Sequence, residues 1–235
     1  MFKNFKAKYI KESFIYKIYR YYKYRPNKSC SNLGEEILVK RIFKDTKHGI
    51  YIDVGALNPK VGSLTYSLYK KGWTGINLDL TKENIKLFKF FRKKDISLRV
   101  AISSSGGVIN SYIFDPGSGL NTLNRKWAND WSKKINKSYT IEPIKKITLN
   151  SLLDEYKIKK NFDFLNIDVE THELDVLKGL NFNKYKPFLI ACEIHSQSID
   201  ELVNCKVSKL LKQKGYFFIA HYYHTSFFCV EKISV

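Results

Sequence analysis

No apolar run in the 235-residue sequence reaches about 18 residues, so no segment reads as a transmembrane helix. The basic N-terminus lacks the apolar stretch and small-residue cleavage site of a secretory signal. The four cysteines (Cys30, Cys192, Cys205 and Cys229) have no C-x-x-C spacing. Cys192 and Cys229 lie in apolar runs and read as buried free thiols, which suits a reducing cytoplasm. There is no internal repeat, and no linker divides residues 34–235. Neither a separate RNA-binding module nor a catalytic-lysine pattern is present. The G-x-G-x-x-G turn that would seat a dinucleotide pyrophosphate is also missing.

What is present is a globular composition, 44% hydrophobic, in a length that suits one domain with an appendage. The net charge of +19 is uneven. Residues 1–48 hold 13 Lys and Arg against 4 acids, whereas the other 187 residues hold 28 against 18. The first stretch interleaves aromatic and basic residues. Phe2, Phe5, Tyr9, Ile10, Phe14, Ile18 and Tyr21 recur at three- and four-residue steps, which predicts an amphipathic helix ending before Pro26. Such a helix has three uses: lying on an anionic membrane surface or a partner, packing on its own domain, or binding RNA. We divide the chain into a basic aromatic extension, residues 1–33, and a domain, residues 34–235. The expected location is the cytoplasm, with peripheral contact at the inner membrane face through residues 1–28 as the further option.

From residue 34 onward strands and helices alternate. "GIYIDVG", "TGINLDL", "ISLRVAIS", "FDFLNIDVE" and "KPFLIACEIH" read as strands, and "YFFIAHYYHTSFFCV" as a closing strand pair. "SLTYSLYKKG", "TKENIKLFKFFRKK", "LNSLLDEYKI", "THELDVLKGL" and "SIDELVNCKVSKLLKQKG" read as helices, the second N-capped by Thr81. "SSGGVINSYIFDPGSGLNTLN" reads as a hairpin and glycine-rich loop, and "SYTIEPIKKITL" as extended. This pattern predicts a mostly parallel sheet covered by helices on both faces, with an antiparallel C-terminal edge.

Ligands of such sheets gather beyond the carboxyl ends of the strands, and Asp53, Asp79 and Asp168 each end a predicted strand. Asp79 follows Asp53 by 26 residues, where an acid serves ribose hydroxyls, and Gly55 would let the backbone approach a ligand. An acid beside the turn repels phosphate and suits a cation, as in S-adenosylmethionine.

"YIDVGALNP", "YKKGWTGINLDL", "RVAIS", "GLNTLN", "ITLNSLLDEY", "FDFLNIDVETHELDVLKG" and "FLIACEIH", in this order and spacing, resemble the FkbM-type S-adenosylmethionine-dependent methyltransferases over about residues 34–230. The resemblance implies a Rossmann-like class I methyltransferase fold with a seven-stranded sheet. It also implies O-methylation of a hydroxyl, often on a surface-polysaccharide sugar or a secondary metabolite. By the same resemblance, Asp53, Gly55, Ala56 and Asn58 would line the methionine and ribose side of the cofactor, Asp79 would take the ribose hydroxyls, and Ala101 and Ile102 would flank the adenine. One position departs from the pattern. Where the family reads Asp-Val-Glu-Gly, this chain has Asp168-Val169-Glu170-Thr171, and Thr171 would either N-cap the next helix or narrow the substrate rim.

Methyl transfer to a hydroxyl needs a close, collinear acceptor and a group to take its proton. Asp168, Glu170, His172, Glu193 and His195 are the candidates, and we take Asp168, Glu170 and His195 as the catalytic set. Asp168 and Glu170 are also candidate ligands for Mg²⁺, although their spacing matches no fixed metal motif. His221 and His224 read as rim residues, and "DPGSGLNTLN" as either a lid or a plain connection. The competing readings are an RNA-binding protein or RNA methyltransferase, a catalytically inactive interaction protein of the same fold, and a nicotinamide-dependent oxidoreductase.

Overall fold

The computed structural model describes residues 13–23 and 29–232. Among the described residues ten strands form two sheets: β1 (Ile50–Val54), β2 (Thr74–Asp79), β3 (Ile96–Arg99), β4 (Ala101–Ile102), β5 (Gly107–Ile113), β6 (Thr140–Ile147), β7 (Phe164–Ile167), β8 (Leu189–Glu193), β9 (Phe217–Tyr222) and β10 (Thr225–Cys229). The main sheet has seven strands in the order β3-β2-β1-β7-β8-β10-β9. β1, β2, β3, β7 and β8 pair in parallel. β10 runs antiparallel to both β8 and β9, so the reversed strand sits one place in from the edge.

Both faces of this sheet are covered, which explains why its strands read as continuous apolar runs. Ile52, Val54, Ile76, Leu78, Leu165, Ile167 and Ile190 point to one core, closed by the helices Leu149–Glu155, Glu173–Lys178, Ile199–Asn204 and Lys206–Gln213. The alternate residues Tyr51, Phe164, Leu189, Ala191 and Phe227 point to the other, packed against Val39 of the helix Glu36–Ile42 and Leu68 of the helix Tyr66–Lys70. Thr81 caps the helix Lys82–Phe91 as expected, its side chain accepting from the Asn84 amide.

Four local readings need revision. "ISLRVAIS" is not one strand: it breaks at Val100, and β4 leaves the main sheet to pair with β6 in a second, three-stranded sheet ordered β4-β6-β5. The helices Glu36–Ile42 and Arg125–Lys134 went unread, the latter because its only apolar residues are Trp127, Ala128 and Trp131. The expected helix from Ser198 breaks at Cys205, whose extended backbone lets its sulfur accept from the Ser208 amide and start a second helix. The strand at "FDFLNIDVE" ends at Ile167, which places Asp168 and Glu170 beyond the sheet.

Of the N-terminal helix, Phe14–Lys23 is described; Phe2, Phe5, Tyr9, Ile10 and Pro26 lie outside the described residues. Tyr21 stacks on Phe91 at 3.6 Å, Phe14 meets Phe90 edge-on, and the Lys60 amine donates to the Tyr21 carbonyl. This segment therefore packs on the domain, with Ile15 on its outer side 78% exposed. Among the described residues no helix is long and apolar enough to cross a membrane.

Under the second core face lies a buried polar network. Asp53, Asn77 and Asn166 align across β2, β1 and β7. Arg92, fully buried, donates to the Pro59 carbonyl, Thr65 Oγ1 and Ser63 Oγ at 2.7–2.8 Å and lies 3.9 Å from Asp95. Asp95 in turn accepts from Tyr51, Asn77 and the Gly75 amide. The loop after β1 is thus pinned from beneath by one cation.

Candidate active site

The strand order reverses between β1 and β7, and a crevice at such a reversal is the expected ligand site of a parallel sheet. Gly55 and Asp168 follow these two strands, and they meet. A Cβ on Gly55 would stand 1.7 Å from the Asp168 carbonyl oxygen, and its φ is +84°. Gly55 is therefore required by the approach of two protein backbones, not by the approach of a ligand.

A cavity of about 180 Å³ opens here. Gly55, Asp79, Ala101, Ile102, Asp168 and Glu170 line it, all of them site residues expected from the sequence, and Glu193 joins them. Four others are placed elsewhere: His195 stands beyond Glu170 and Glu193, outside the cavity, and the other three lie in or behind the turn. Asp53 lies behind the cavity wall, its two oxygens accepting from Thr65 Oγ1 at 2.6 Å and Asn166 Nδ2 at 2.9 Å. Ala56 is buried in the turn, donating its amide to Leu78. Asn58 folds back on its own loop, accepting from the amides of Lys60 and Val61. Asp79 accepts four hydrogen bonds: from Thr81 N, Thr81 Oγ1 and Asn84 Nδ2 on one oxygen, and from Leu57 N alone on the other. The second oxygen keeps capacity for a ligand hydroxyl. Burial pushes the Asp79 carboxyl up to about 6 despite these donors.

The outer wall is the loop after β5. Asn121 fastens it by accepting from the Phe114 amide and donating to the Asp115 carbonyl. Thr122 pairs with Tyr112 and donates from its hydroxyl to the Glu170 carbonyl. Asn121 and Thr122 belong to the "GLNTLN" motif, which thus ties the wall to the acidic rim.

That rim carries two consecutive residues in the left-handed region. Glu170 and Thr171 both have positive φ, 53° and 75°. The second value accounts for the glycine of the family pattern, since a β-branched residue is strained in this region. Thr171 does not cap the next helix. Its hydroxyl accepts from Asn124 Nδ2 at 2.8 Å, and the helix Glu173–Lys178 has no side-chain cap. Replacing Thr171 by Gly should relieve strain of about 1 kcal/mol and raise Tm by about 2–4 °C. A thermal melt showing no gain would mean the Asn124 bond compensates.

Electrostatically the rim is crowded with acids. Asp168 is exposed to the open cavity; the walls around it and the neighbouring Glu193 and Glu170 hold its carboxyl above the usual range. Burial likewise raises Glu170, against the pull of His195. Glu173, buried and close to Glu193, is pushed up to about 7 although it accepts from the amides of Val169 and Thr171. His195 Nε2 lies 3.4 Å from Glu193 and 3.8 Å from Glu170. These two carboxylates raise its pKa to about 10. His195 is therefore a cation near neutral pH and has no lone pair with which to act as a base. His172, by contrast, turns to Ser103 Oγ at 3.1 Å, away from the rim, and burial lowers its pKa.

Glu170, Glu193 and His195 also form the one trio among the described residues whose ligand atoms lie close enough together, within 4.8 Å, to hold a metal ion. Asp168 is not in that trio, so the expected Asp168–Glu170 pair is not how the ligand atoms gather. A metal would have to displace the proton that the same carboxylates hold on His195.

The upward shifts of Glu173, Asp79 and His195 share a sign, whereas the lowered His172, His221 and His224 act in the opposite sense below their unfolded value of 6.5. Unfolded Glu and Asp lose their protons near 4.5 and 3.8, but folded Glu173 and Asp79 do so near 7 and 6. Over those intervals the folded state holds more protons, so its stability falls as pH rises. The stability from His195 pairing is complete below its unfolded value of 6.5 and is lost as pH rises through about 10. Above about pH 6.5 only the declining contributions remain, so the Tm of the ligand-free protein should fall from about pH 6.5 to about pH 9. A melting series that is flat or rising over this window would show that the rim does not carry these charges.

The sequence matches the methyltransferase FkbM domain family over residues 53–218. No curated protein matches it. Among solved structures, the METTL16 methyltransferase domain aligns over 85% of this chain and 67% of its own, with 11% identity and a TM-score of 0.45. A putative RNA methyltransferase from Pyrococcus horikoshii aligns over 83% of this chain and 81% of its own, with 10% identity and a TM-score of 0.41. The family match spans the end of β1, all of β2, β3, β7 and β8, and the acidic rim, and the chain belongs to the FkbM methyltransferase domain family.

Proposed function

We propose that this protein transfers a methyl group from S-adenosylmethionine to a hydroxyl of a sugar, a polysaccharide precursor or a similar small molecule. The observation that carries this reading is the convergence of Asp168, Glu170 and Glu193 on one end of the cavity at the β1/β7 reversal. Carboxylates crowded there favour a positively charged ligand, and the cofactor brings both a sulfonium and an amino group. When bound, the cofactor supplies an activated methyl group for in-line displacement. Asp79 keeps an oxygen for ribose hydroxyls, and the apolar walls from Ala101, Ile102 and Leu80 suit adenine. The cavity's 180 Å³ is smaller than the roughly 300 Å³ at which small-molecule pockets begin, so the wall loop must shift on binding. A Cβ on Gly117 or Gly119 of that loop would meet nothing within 4 Å, which leaves room for this movement.

The acceptor's proton goes to a carboxylate, Glu170 in the first place, whose raised pKa brings it nearer the working pH. His195 acts as the fixed counter-cation that keeps Glu170 and Glu193 in place while charge develops. Mg²⁺ is not required by this arrangement, and EDTA should leave turnover unchanged. The reading is tested with methyl-labelled S-adenosylmethionine and separate pools of small saccharides and short RNA. Label in the saccharide pool is expected; label confined to RNA would favour the RNA methyltransferase reading.

A further inference from the structure

Behind the acidic rim, on the side away from the cofactor cavity, a groove of about 610 Å³ runs between the helix Arg125–Lys134 and the segment after β8. Trp127 and Trp131, one helical turn apart, line one side with ring centroids 5.7 Å apart. His195 and His224 line the other. The His195 ring lies 5.0 Å from Trp127 and 4.5 Å from His224, so the groove ends on the same residue that pairs with Glu170 and Glu193. Glu170 and Glu193 line the cavity and His195 lines the groove, so their contacts link the two.

Among the described residues, five buried side-chain polar atoms have no hydrogen-bond partner. Three of them, Trp127 Nε1, His224 Nδ1 and Glu193 Oε2, gather around His195. Buried polar atoms are nearly always satisfied, and a cluster of exceptions in one place points to a missing partner. Chemically they are a donor, an imidazole nitrogen that serves as either donor or acceptor, and an acceptor. A hydroxyl-rich molecule supplies both kinds at once. The charges beside them, Asp130 and Glu201 against Lys134, are unsuited to a phosphate backbone. The indole bodies offer apolar area to a ring with a C–H face.

We infer that this groove is the acceptor subsite and takes an uncharged, polyhydroxylated ring, a saccharide unit, which hydrogen-bonds Trp127 Nε1 and His224 and presents one hydroxyl past His195 to Glu193 and Glu170. This rests on the methyltransferase reading above. Trp127 and His224 are then specificity-determining residues, and the acceptor enters from the opposite side to the cofactor.

The three tryptophans give a direct readout, because each indole N–H yields one NMR cross-peak in protein labelled with ¹⁵N-indole. Trp73 donates to the Thr46 carbonyl in the core and serves as the internal control. Protein with S-adenosylhomocysteine is titrated with methyl glycosides of common hexoses and deoxyhexoses, and separately with oligouridylate. At least one glycoside should move the Trp127 and Trp131 peaks in a saturable way and leave Trp73 still. Trp127→Phe, which keeps a ring and loses the donor, should weaken that titration about fivefold. Trp131→Ala should abolish it, with the unmoved Trp73 peak reporting that the fold is intact. If no glycoside moves either peak, or only oligouridylate does, the inference is wrong. Cofactor binding is measured by calorimetry on the same sample. Its failure would count against the methyltransferase reading, while glycoside shifts in the cofactor-free protein would still decide the groove.

Discussion

Glu170→Gln should slow methyl transfer by about a hundredfold or more, the usual contribution of a general base. Affinity for S-adenosylhomocysteine should stay within about threefold, a difference under 1 kcal/mol. The substitution keeps the shape of the side chain and the backbone at φ 53° and removes only the charge. It has a second, independent signature. Glu170 is the first of the two carboxylates that raise His195 to about 10, so the His195 pKa should fall in the variant, which a proton NMR titration of the imidazole would show. A variant with full turnover and an unmoved His195 would remove the rim from the mechanism and leave proximity alone to account for the rate.

Arg92→Met should destabilise the protein by about 3–5 kcal/mol, read from the urea midpoint. The guanidinium is fully buried, and its removal strips donors from Pro59, Ser63 and Thr65 while leaving the buried Asp95 without its nearest cation. Arg92→Lys should recover little, because one ammonium cannot reproduce a planar fork bonded on three sides. Thr65 also donates to Asp53, and Asp53 holds Asn166 of β7, so loosening this network should weaken cofactor binding as well as the fold. A loss under about 1 kcal/mol would mean water or a neighbouring lysine takes over the site.

These two residues also mark where the sequence could be read and where it could not. The parallel sheet was legible because strands buried on both faces must be apolar throughout. For the same reason the sequence could not say which way Asp53 points. In β1 its side chain falls on the face of Tyr51 and meets Thr65, whereas Asp79 at the end of β2 lines the cavity. Nothing in "FRKK" distinguishes Arg92 from the lysines beside it; only the fold places it under the loop after β1. Asp168 and Glu170 were found by their position after a strand, but not the reversed backbone that presents them. Its one trace was the threonine standing where the family has glycine. The groove was missed because Arg125–Lys134 is too polar to show amphipathic periodicity. The one signal in the sequence is Asn124, a cap residue whose side chain accepts from the Lys126 and Trp127 amides, followed by tryptophans four apart.

Calorimetry of the wild-type protein with S-adenosylhomocysteine, and in parallel with NAD, tests the central claim most directly. Saturable one-to-one binding of S-adenosylhomocysteine, reduced at least tenfold when Asp168 is replaced by Lys to reverse the charge facing the cavity, is the predicted result. NAD binding tightly while S-adenosylhomocysteine shows no heat and no thermal shift would contradict it.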